Sequence, residues 1–149
     1  MNRRALWAIL GAVAVLVAGV GAWLLSSSLG SADYAPPGPV TVQEAHQLIQ
    51  RHGEDEDFVI VDVRTASEFN AGHLATNGAR LLNIDVSGGN FRGRVDRLSR
   101  DRKLLVYCRT GNRSQVAVEA MESAGFAWVY HMDRGIVAWQ AAGLPVVAE

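Results

Sequence analysis

The sequence contains one cysteine, Cys108, and the residues around it are of types that can stabilise an anion. A cysteine is a good nucleophile only as a thiolate, and a free thiol with a pKa of ~8.5 is only a few per cent thiolate near neutral pH. Four residues separate Cys108 from Arg113, and Gly111 between them permits a tight turn. We therefore interpret Cys108 as a candidate catalytic nucleophile. Its candidate anion-binding loop consists of Arg109, Thr110, Gly111, Asn112, Arg113 and Ser114.

The elements on either side of this loop favour an ionised thiol. An apolar run at residues 104–107 predicts a buried strand leading into Cys108, and a helix is expected to begin at Arg113 or Ser114. Backbone N–H groups between a strand end and a helix N-terminus can point at one anion. Lowering the thiol pKa by about two units requires about 2.7 kcal/mol. A helix terminus supplies ~0.3–1 kcal/mol and up to about 2 when partly buried, so inward-facing amides and a guanidinium must supply the rest.

Short apolar runs predict four strands, at residues 58–61, 81–84, 104–107 and 128–130. Such runs lack polar alternation, which is typical of strands covered on both faces in parallel sheets. Helical patterns occur between them. The first predicted helix begins at Thr41, with Glu44 three residues later at the spacing of a capping box, and ends at Gly53. The others occupy residues 67–71 after Thr65 or Ser67, residues 91–98, residues from 113 or 114 to 124, and residues 136–142. The alternation predicts an α/β domain with a doubly wound, mostly parallel sheet flanked by helices.

The helix after the cysteine loop is expected to direct its apolar side chains inward. These are Val116, Ala117, Ala120, Met121 and Ala124.

Two charged residues, Asp62 and Arg64, follow the strand at 58–61. Ligands bind at the carboxyl ends of parallel strands, so these side chains are expected to support the same site as Cys108. They have either a structural role, pairing across the base of the loop, or a direct role in catalysis.

The N-terminal part of the chain differs from the rest, because residues 5–25 contain no charged or strongly polar side chain. A helix of 21 residues is about 31 Å long, which matches a hydrocarbon core of ~30 Å. We expect one N-terminal transmembrane helix at residues 1–25, a Ser/Gly/Pro linker at 26–39, and a folded domain at 40–149. Arg3 and Arg4 precede the apolar segment, so the positive-inside rule predicts a single-pass anchor with an extracytoplasmic domain, in the periplasm or at the cell exterior. Cleavage after Ala32, which would release a secreted form, remains an alternative.

Charge and histidine spacing exclude other classes of site. All 15 acidic residues follow the apolar segment together with 12 of the 14 basic ones, which leaves this part at about −3 and argues against a nucleic-acid binder. The four histidines show no metal-ligand spacing, so no metal site is expected.

The sequence around Cys108 resembles the active-site loop of single-domain rhodaneses, and other motifs of that family occur in order along the chain. They are Asp62-Val63-Arg64, Glu68-Phe69, Ala71-Gly72-His73-Leu74, Asn83-Ile84, residues 107–114, and Gly135-Ile136 through Trp139 to Gly143-Leu144-Pro145-Val146. The resemblance covers roughly residues 40–147. Two segments depart from it: the step after Leu74 is longer than usual, and Asp133-Arg134-Gly135 stands where the family often has two glycines.

The resemblance implies a sulfurtransferase with a rhodanese-like fold. Cys108 would take a sulfane sulfur from thiosulfate or a persulfide donor and pass it to a thiol or to cyanide. Arg109 and Arg113 would guide the anionic donor, and Arg113 would also brace the loop. The resemblance implies no metal or organic cofactor, and the sequence identifies no protein partner.

Two other functions remain open from the sequence. The first is a binding or redox-sensing module that uses the same fold with little turnover. The second is a cysteine-dependent phosphatase, although the related phosphatases have a loop one residue longer than the four residues between Cys108 and Arg113.

Overall fold

A computed structural model describes residues 34–148 of the protein. Its helices are α1 (Val42–His52), α2 (Ala66–Asn70), α3 (Phe91–Val95), α4 (Asn112–Ser123) and α5 (Gly135–Ala141). Its strands are β1 (Gly38–Val40), β2 (Phe58–Asp62), β3 (His73–Leu74), β4 (Arg80–Asn83), β5 (Lys103–Tyr107), β6 (Trp128–Met132) and β7 (Val146–Val147).

Five of these strands form one sheet in the order β1-β6-β5-β2-β4, and every neighbouring pair is parallel. The strands β3 and β7 form a separate antiparallel pair. This arrangement confirms the predicted α/β fold with a mostly parallel sheet flanked by helices. It also places β5, the strand that leads into Cys108, at the centre of the sheet.

The central strands are covered on both faces. Every residue of β2 and β5 is buried, as their unbroken apolar sequences predict. On one face, α3 and α4 contribute Val95, Ala117 and Met121 to a core cluster with Val61 and other strand residues. On the other face, α1 and α5 pack together.

Two helices begin at capping boxes. In each, the Thr side chain accepts a hydrogen bond from the backbone N–H of the Glu, and the Glu carboxylate accepts one from the backbone N–H of the Thr. Thr41 and Glu44 cap α1 in this way, as the sequence predicts. Thr65 and Glu68 do the same for α2, which settles the choice between Thr65 and Ser67.

The predicted inward face of α4 is confirmed at Ala117 and Met121, which are buried, and wrong at Val116. Val116 is 59% exposed, whereas Val118 is buried. The buried stripe is Ser114, Ala117, Val118 and Met121, with the i, i+3, i+4, i+7 spacing of one helix face. The buried face of the helix therefore includes a polar residue, Ser114, which the pattern of apolar residues does not reveal.

Other boundaries differ from the predictions by a few residues. The helix α3 ends at Val95, three residues before the predicted end. The sequence does not predict β1, because Gly38 and Pro39 are residue types depleted in strands. A proline fits there because β1 is an edge strand, where a missing N–H interrupts no pairing.

The predicted transmembrane helix at 5–25 lies outside the described residues, as does the predicted linker up to residue 33. Within residues 34–148, no helix has the length and apolar composition that crossing a membrane requires.

Candidate active site

Cys108 lies directly after β5, at the carboxyl edge of the sheet where α/β proteins bind ligands. Residues 109–111 connect it to α4, which begins at Asn112 and is 12 residues long. The Cys108 side chain packs with the core cluster and is 1% exposed. The fold therefore places one nearly buried sulfur atom at the N-terminus of a helix.

Hydrogen-bond donors surround this sulfur. The Gly111 N–H donates to Cys108 Sγ at 3.1 Å, and the Ser114 hydroxyl lies 3.4 Å from the same atom. Burial raises the pKa of the Cys108 thiol, but the Ser114 hydroxyl and the N–H groups of Ser114, Thr110 and Gly111 outweigh that effect and bring the pKa below its ordinary value. The surroundings of Cys108 therefore favour the reactive thiolate.

The N-terminus of α5 fixes the orientation of the loop. The Ile136 N–H donates to the Cys108 carbonyl at 2.9 Å, and the Val137 N–H donates to the Arg109 carbonyl at 3.1 Å. A Cβ on Gly135 would lie 2.4 Å from the Cys108 carbonyl oxygen, so this close approach requires glycine. Because α5 binds the Cys108 and Arg109 carbonyls on the outside of the loop, the N–H groups of the loop can point inward at the sulfur.

Gly111 allows the loop to turn. Its φ is +104°, in the region that disfavours side chains, and a Cβ there would lie 3.2 Å from the Arg134 backbone nitrogen. The sequence-based expectation of a tight turn at Gly111 is thus met.

Arg113 is bound to a carboxylate in α2. Its Nη1 and Nη2 atoms donate to Glu68 Oε2 and Oε1 at 2.8 and 2.7 Å, a bidentate ion pair. The hydrogen bonds from Arg113 hold the pKa of Glu68 at about 2. Most of the Arg113 charge is therefore neutralised within the protein, and the residue braces the start of α4.

The remaining loop side chains face solvent. Arg109, Thr110 and Asn112 are all exposed. In the described part of the chain the Arg109 guanidinium has no ion pair. Arg109, which follows Cys108 in the chain, is thus an exposed cation that is available to a ligand.

Comparison with known proteins identifies this arrangement. Residues 41–142 match the family model of the rhodanese-like domain. The chain belongs to the rhodanese-like domain family. The matched segment includes Cys108 and every other candidate site residue.

Individual relatives of this rhodanese-like domain include sulfurtransferases. A sulfurtransferase of Allochromatium vinosum is 32% identical over 105 residues, which cover 70% of this chain and 92% of the relative. The thiosulfate sulfurtransferase GlpE of Pseudoalteromonas translucida is 33% identical, covering 69% of this chain and 89% of its own. A rhodanese-related protein from Thermoplasma volcanium superposes with a TM-score of 0.60 and 31% identity, covering 74% of this chain and 98% of that structure.

In this rhodanese-like domain, Asp62 and Arg64 form a buried pair away from the sulfur. Arg64 Nε lies 3.0 Å from Asp62 Oδ1, and Arg64 Nη2 also donates to the Gly72 carbonyl at 2.7 Å. Val61 packs in the core cluster with Cys108. Successive side chains of a strand point to opposite faces, so Asp62 projects from the other face of the sheet, together with Tyr107, its partner in register. This geometry favours the structural role for the pair over direct participation in catalysis.

Arg134 occupies the position where the family often has a glycine. Its φ is +63°, so it keeps the left-handed conformation that a glycine would adopt. With Thr110, it borders a groove of about 740 Å³ between the start of α1 and α5. The departure from the family pattern therefore adds a cation near the loop without changing the course of the backbone.

The sequence did not indicate one residue of the site, His131. It lies in β6, is 7% exposed, and its Nε2 is 2.9 Å from Ser114 Oγ and 3.2 Å from the Gly111 carbonyl oxygen. Its spacing in the sequence shows nothing of this contact. The parallel register of β5 and β6, which pairs Val106 with His131, is the feature that brings it to the loop.

Proposed function

We propose that this rhodanese-like domain is a sulfurtransferase that carries a sulfane sulfur on Cys108. The proposal rests on one observation: the Cys108 sulfur accepts the Gly111 N–H at 3.1 Å, in a loop whose Cys108 and Arg109 carbonyls are bound by α5. A thiolate and a persulfide anion require the same inward-facing donors. The sulfurtransferase names of the relatives support the same class of reaction.

The proposed cycle consists of two substitutions at sulfur. The Cys108 thiolate attacks the sulfane sulfur of thiosulfate, a new S–S bond forms, and the bond to the sulfonate sulfur breaks to release sulfite. The negative charge now resides on the outer sulfur of Cys108–S–S⁻. An acceptor thiolate, or cyanide in an assay, attacks that outer sulfur and regenerates the Cys108 thiolate. No electron or proton has to enter from a cofactor, because each step exchanges one nucleophile for another at the transferred sulfur.

Arg109 and Arg113 have different roles in this cycle. Because Glu68 binds both guanidinium nitrogens of Arg113, that residue holds the loop and the start of α4 in place. Arg109 is exposed beside Cys108 and attracts the anionic donor. Thr110, Gly111 and Ser114 supply donors to the sulfur.

The test is persulfide formation and turnover by the full-length chain. With thiosulfate, mass spectrometry should show one added sulfur on Cys108, and addition of cyanide should release thiocyanate. The Cys108→Ser variant should do neither. Hydrolysis of para-nitrophenyl phosphate without thiocyanate formation would contradict the proposal and support the phosphatase. Absence of both activities, with specific retention of a partner protein, would support the binding module.

We also propose that residues 5–25 anchor the domain to a membrane, with residues 34–148 on the extracytoplasmic side. The support is the uncharged 21-residue segment and the position of Arg3 and Arg4 before it. A C-terminal fusion to alkaline phosphatase, which is active only outside the cytoplasm, should be active in cells. It should remain in the membrane fraction, and deletion of residues 5–25 should abolish both results. Recovery of the active fusion in the soluble extracellular or periplasmic fraction would indicate cleavage near Ala32 instead.

A further inference from the structure

The Ser114 hydroxyl lies within hydrogen-bond distance of three atoms. Its Oγ lies 2.8 Å from the Gly111 carbonyl oxygen, 2.9 Å from His131 Nε2 and 3.4 Å from Cys108 Sγ. A serine hydroxyl has a single proton to donate, although its oxygen can accept two hydrogen bonds. Ser114 is completely buried, so water cannot supply a missing partner. Which acceptor receives the proton therefore decides whether Ser114 acts on the sulfur.

The position of His131 determines how this choice is made. Its Nε2 atom faces both Ser114 Oγ and the Gly111 carbonyl oxygen. If Nε2 had no proton, it would compete with Cys108 Sγ for the proton of the Ser114 hydroxyl. It would also face the Gly111 carbonyl oxygen with no hydrogen between the two acceptor atoms. If Nε2 carries a proton, it can donate to Gly111 and Ser114, and every group is satisfied. The neutral Nε2–H tautomer and the imidazolium both meet this requirement.

A protonated Nε2 also allows the Ser114 hydroxyl to change partner. In the neutral thiol state the hydroxyl can remain on the Gly111 carbonyl at 2.8 Å. When Cys108 becomes a thiolate, the sulfur is the stronger acceptor, and the hydroxyl can rotate toward it because His131 still donates to Gly111. The Gly111 carbonyl oxygen also accepts the Gln115 N–H at 2.9 Å, so His131 supplies the second of the two donors that this oxygen can hold once the hydroxyl has turned to the sulfur.

We propose that His131 is a positioning residue that acts through Ser114: by donating its Nε2–H to the Gly111 carbonyl, it releases the Ser114 hydroxyl to hydrogen-bond the anionic sulfur of Cys108. This inference rests on the proposed function for its consequence in turnover, but the change in thiol ionisation that it predicts does not require turnover.

The direct test is titration of Cys108 in the full-length protein, followed by thiolate absorbance or by the pH dependence of alkylation. The signal is unambiguous because the chain has a single cysteine. The His131→Phe variant keeps a ring of similar size without the donor and should raise the thiol pKa by about one unit, roughly tenfold less thiolate near neutral pH. The His131→Gln variant restores an N–H donor near the same place and should recover much of that shift. A matched control is His73→Phe, which changes another buried histidine, one bonded to the Leu74 carbonyl.

A double-mutant comparison tests the route through Ser114. In a Ser114→Ala background, His131→Phe should cause little further change in the thiol pKa. An equal shift with and without Ser114 would overturn the proposal, as would an unshifted thiol in a His131→Phe protein that melts cooperatively. If His131→Phe does not fold, the same comparison is made with His131→Gln and His131→Leu, and equal thiol pKa values in these two variants would also overturn it. If the wild-type protein shows no sulfurtransfer while His131→Phe still shifts the thiol pKa, the proposed function fails and this inference stands.

Discussion

Glu68 and Arg113 meet through two parallel hydrogen bonds of 2.8 and 2.7 Å, and this contact joins α2 to the first turn of α4. The same carboxylate caps α2 through Thr65. The Glu68 side chain thus caps the N-terminus of α2 and also holds Arg113 in the first turn of α4. Both side chains are about one-third exposed, at 30% and 32%, so solvent screens the pair.

The Glu68→Gln variant tests this bracing. It should lower the free energy of unfolding by about 1 kcal/mol, since an ion pair that is one-third exposed contributes modestly. It should also reduce kcat/KM for thiosulfate, because Arg113 is released. Chemical denaturation and thiocyanate formation measure the two effects. The matched control is Glu44→Gln, which alters an equivalent capping box at α1 whose carboxylate has no arginine partner among residues 34–148. A similar fall in kcat/KM in both variants would show that capping, and not the contact with Arg113, matters to the site.

The ion pair also predicts a dependence of stability on pH. The hydrogen bonds from Arg113 hold the pKa of Glu68 at about 2, below the ordinary value of 4.5. A depressed carboxyl pKa stabilises the folded state fully above the unfolded-state pKa, and this stabilisation is lost as the pH falls toward the folded-state pKa. The difference in unfolding free energy between the wild type and Glu68→Gln should therefore be constant above about pH 5 and should shrink between about pH 4.5 and 2. A difference that stayed constant to about pH 2 would contradict this assignment.

The contact between Gly135 and the cysteine loop predicts a large effect of a small substitution. In Gly135→Ala, the new Cβ would lie 2.4 Å from the Cys108 carbonyl oxygen, so the loop or α5 must move. We expect a loss of stability of about 1–3 kcal/mol from overpacking and a fall in kcat of about a hundredfold from displacement of the loop.

Gly143→Ala is the control for this substitution. Gly143 also has a left-handed conformation, with φ +69° against +58° for Gly135, but nothing lies within 4 Å of its Cβ position. It should lose about 1–2 kcal/mol from backbone conformation alone and keep its kcat. Equal loss of kcat in both variants would show that the close approach to Cys108 has no special role.

Arg109 is expected to act on donor binding. The Arg109→Ala variant should raise the KM for thiosulfate about fivefold, which corresponds to ~1 kcal/mol for an exposed charge contact, with a smaller effect on kcat. Added salt should raise the KM of the wild type more than that of the variant, because salt screens the attraction. Arg51→Ala is the control for net charge, since Arg51 lies in the last turn of α1, before β2 and therefore at the opposite edge of the sheet. An unchanged KM in Arg109→Ala would assign donor attraction to other groups, such as Arg134.

The parts of the fold that follow local rules could be predicted from the sequence. Unbroken apolar runs identified β2 and β5, and a Thr with a Glu three residues later identified the start of α1. The position of Cys108 at a strand end followed from the same reading. Each of these features depends on residues close together in the chain, so the local sequence pattern is enough to predict it.

The parts that depend on long-range contacts could not be predicted. The buried face of α4 includes Ser114, whose hydroxyl contacts His131, a residue of β6 that lies 17 positions later in the chain. The edge strand β1 exists because it pairs with β6, more than 85 residues away, although glycine and proline disfavour a strand locally. In both cases the partner that stabilises the local structure is distant in the sequence.

The burial of a solitary thiol has a consequence for oxidative damage. Cys108 is 1% exposed and the sequence has no second cysteine. A sulfenic acid formed there has no resolving thiol in the same polypeptide with which to condense into a disulfide. Repair must therefore come from a reductant small enough to reach the buried sulfur, because the burial that keeps large oxidants away from Cys108 also keeps large reductants away from its sulfenic acid.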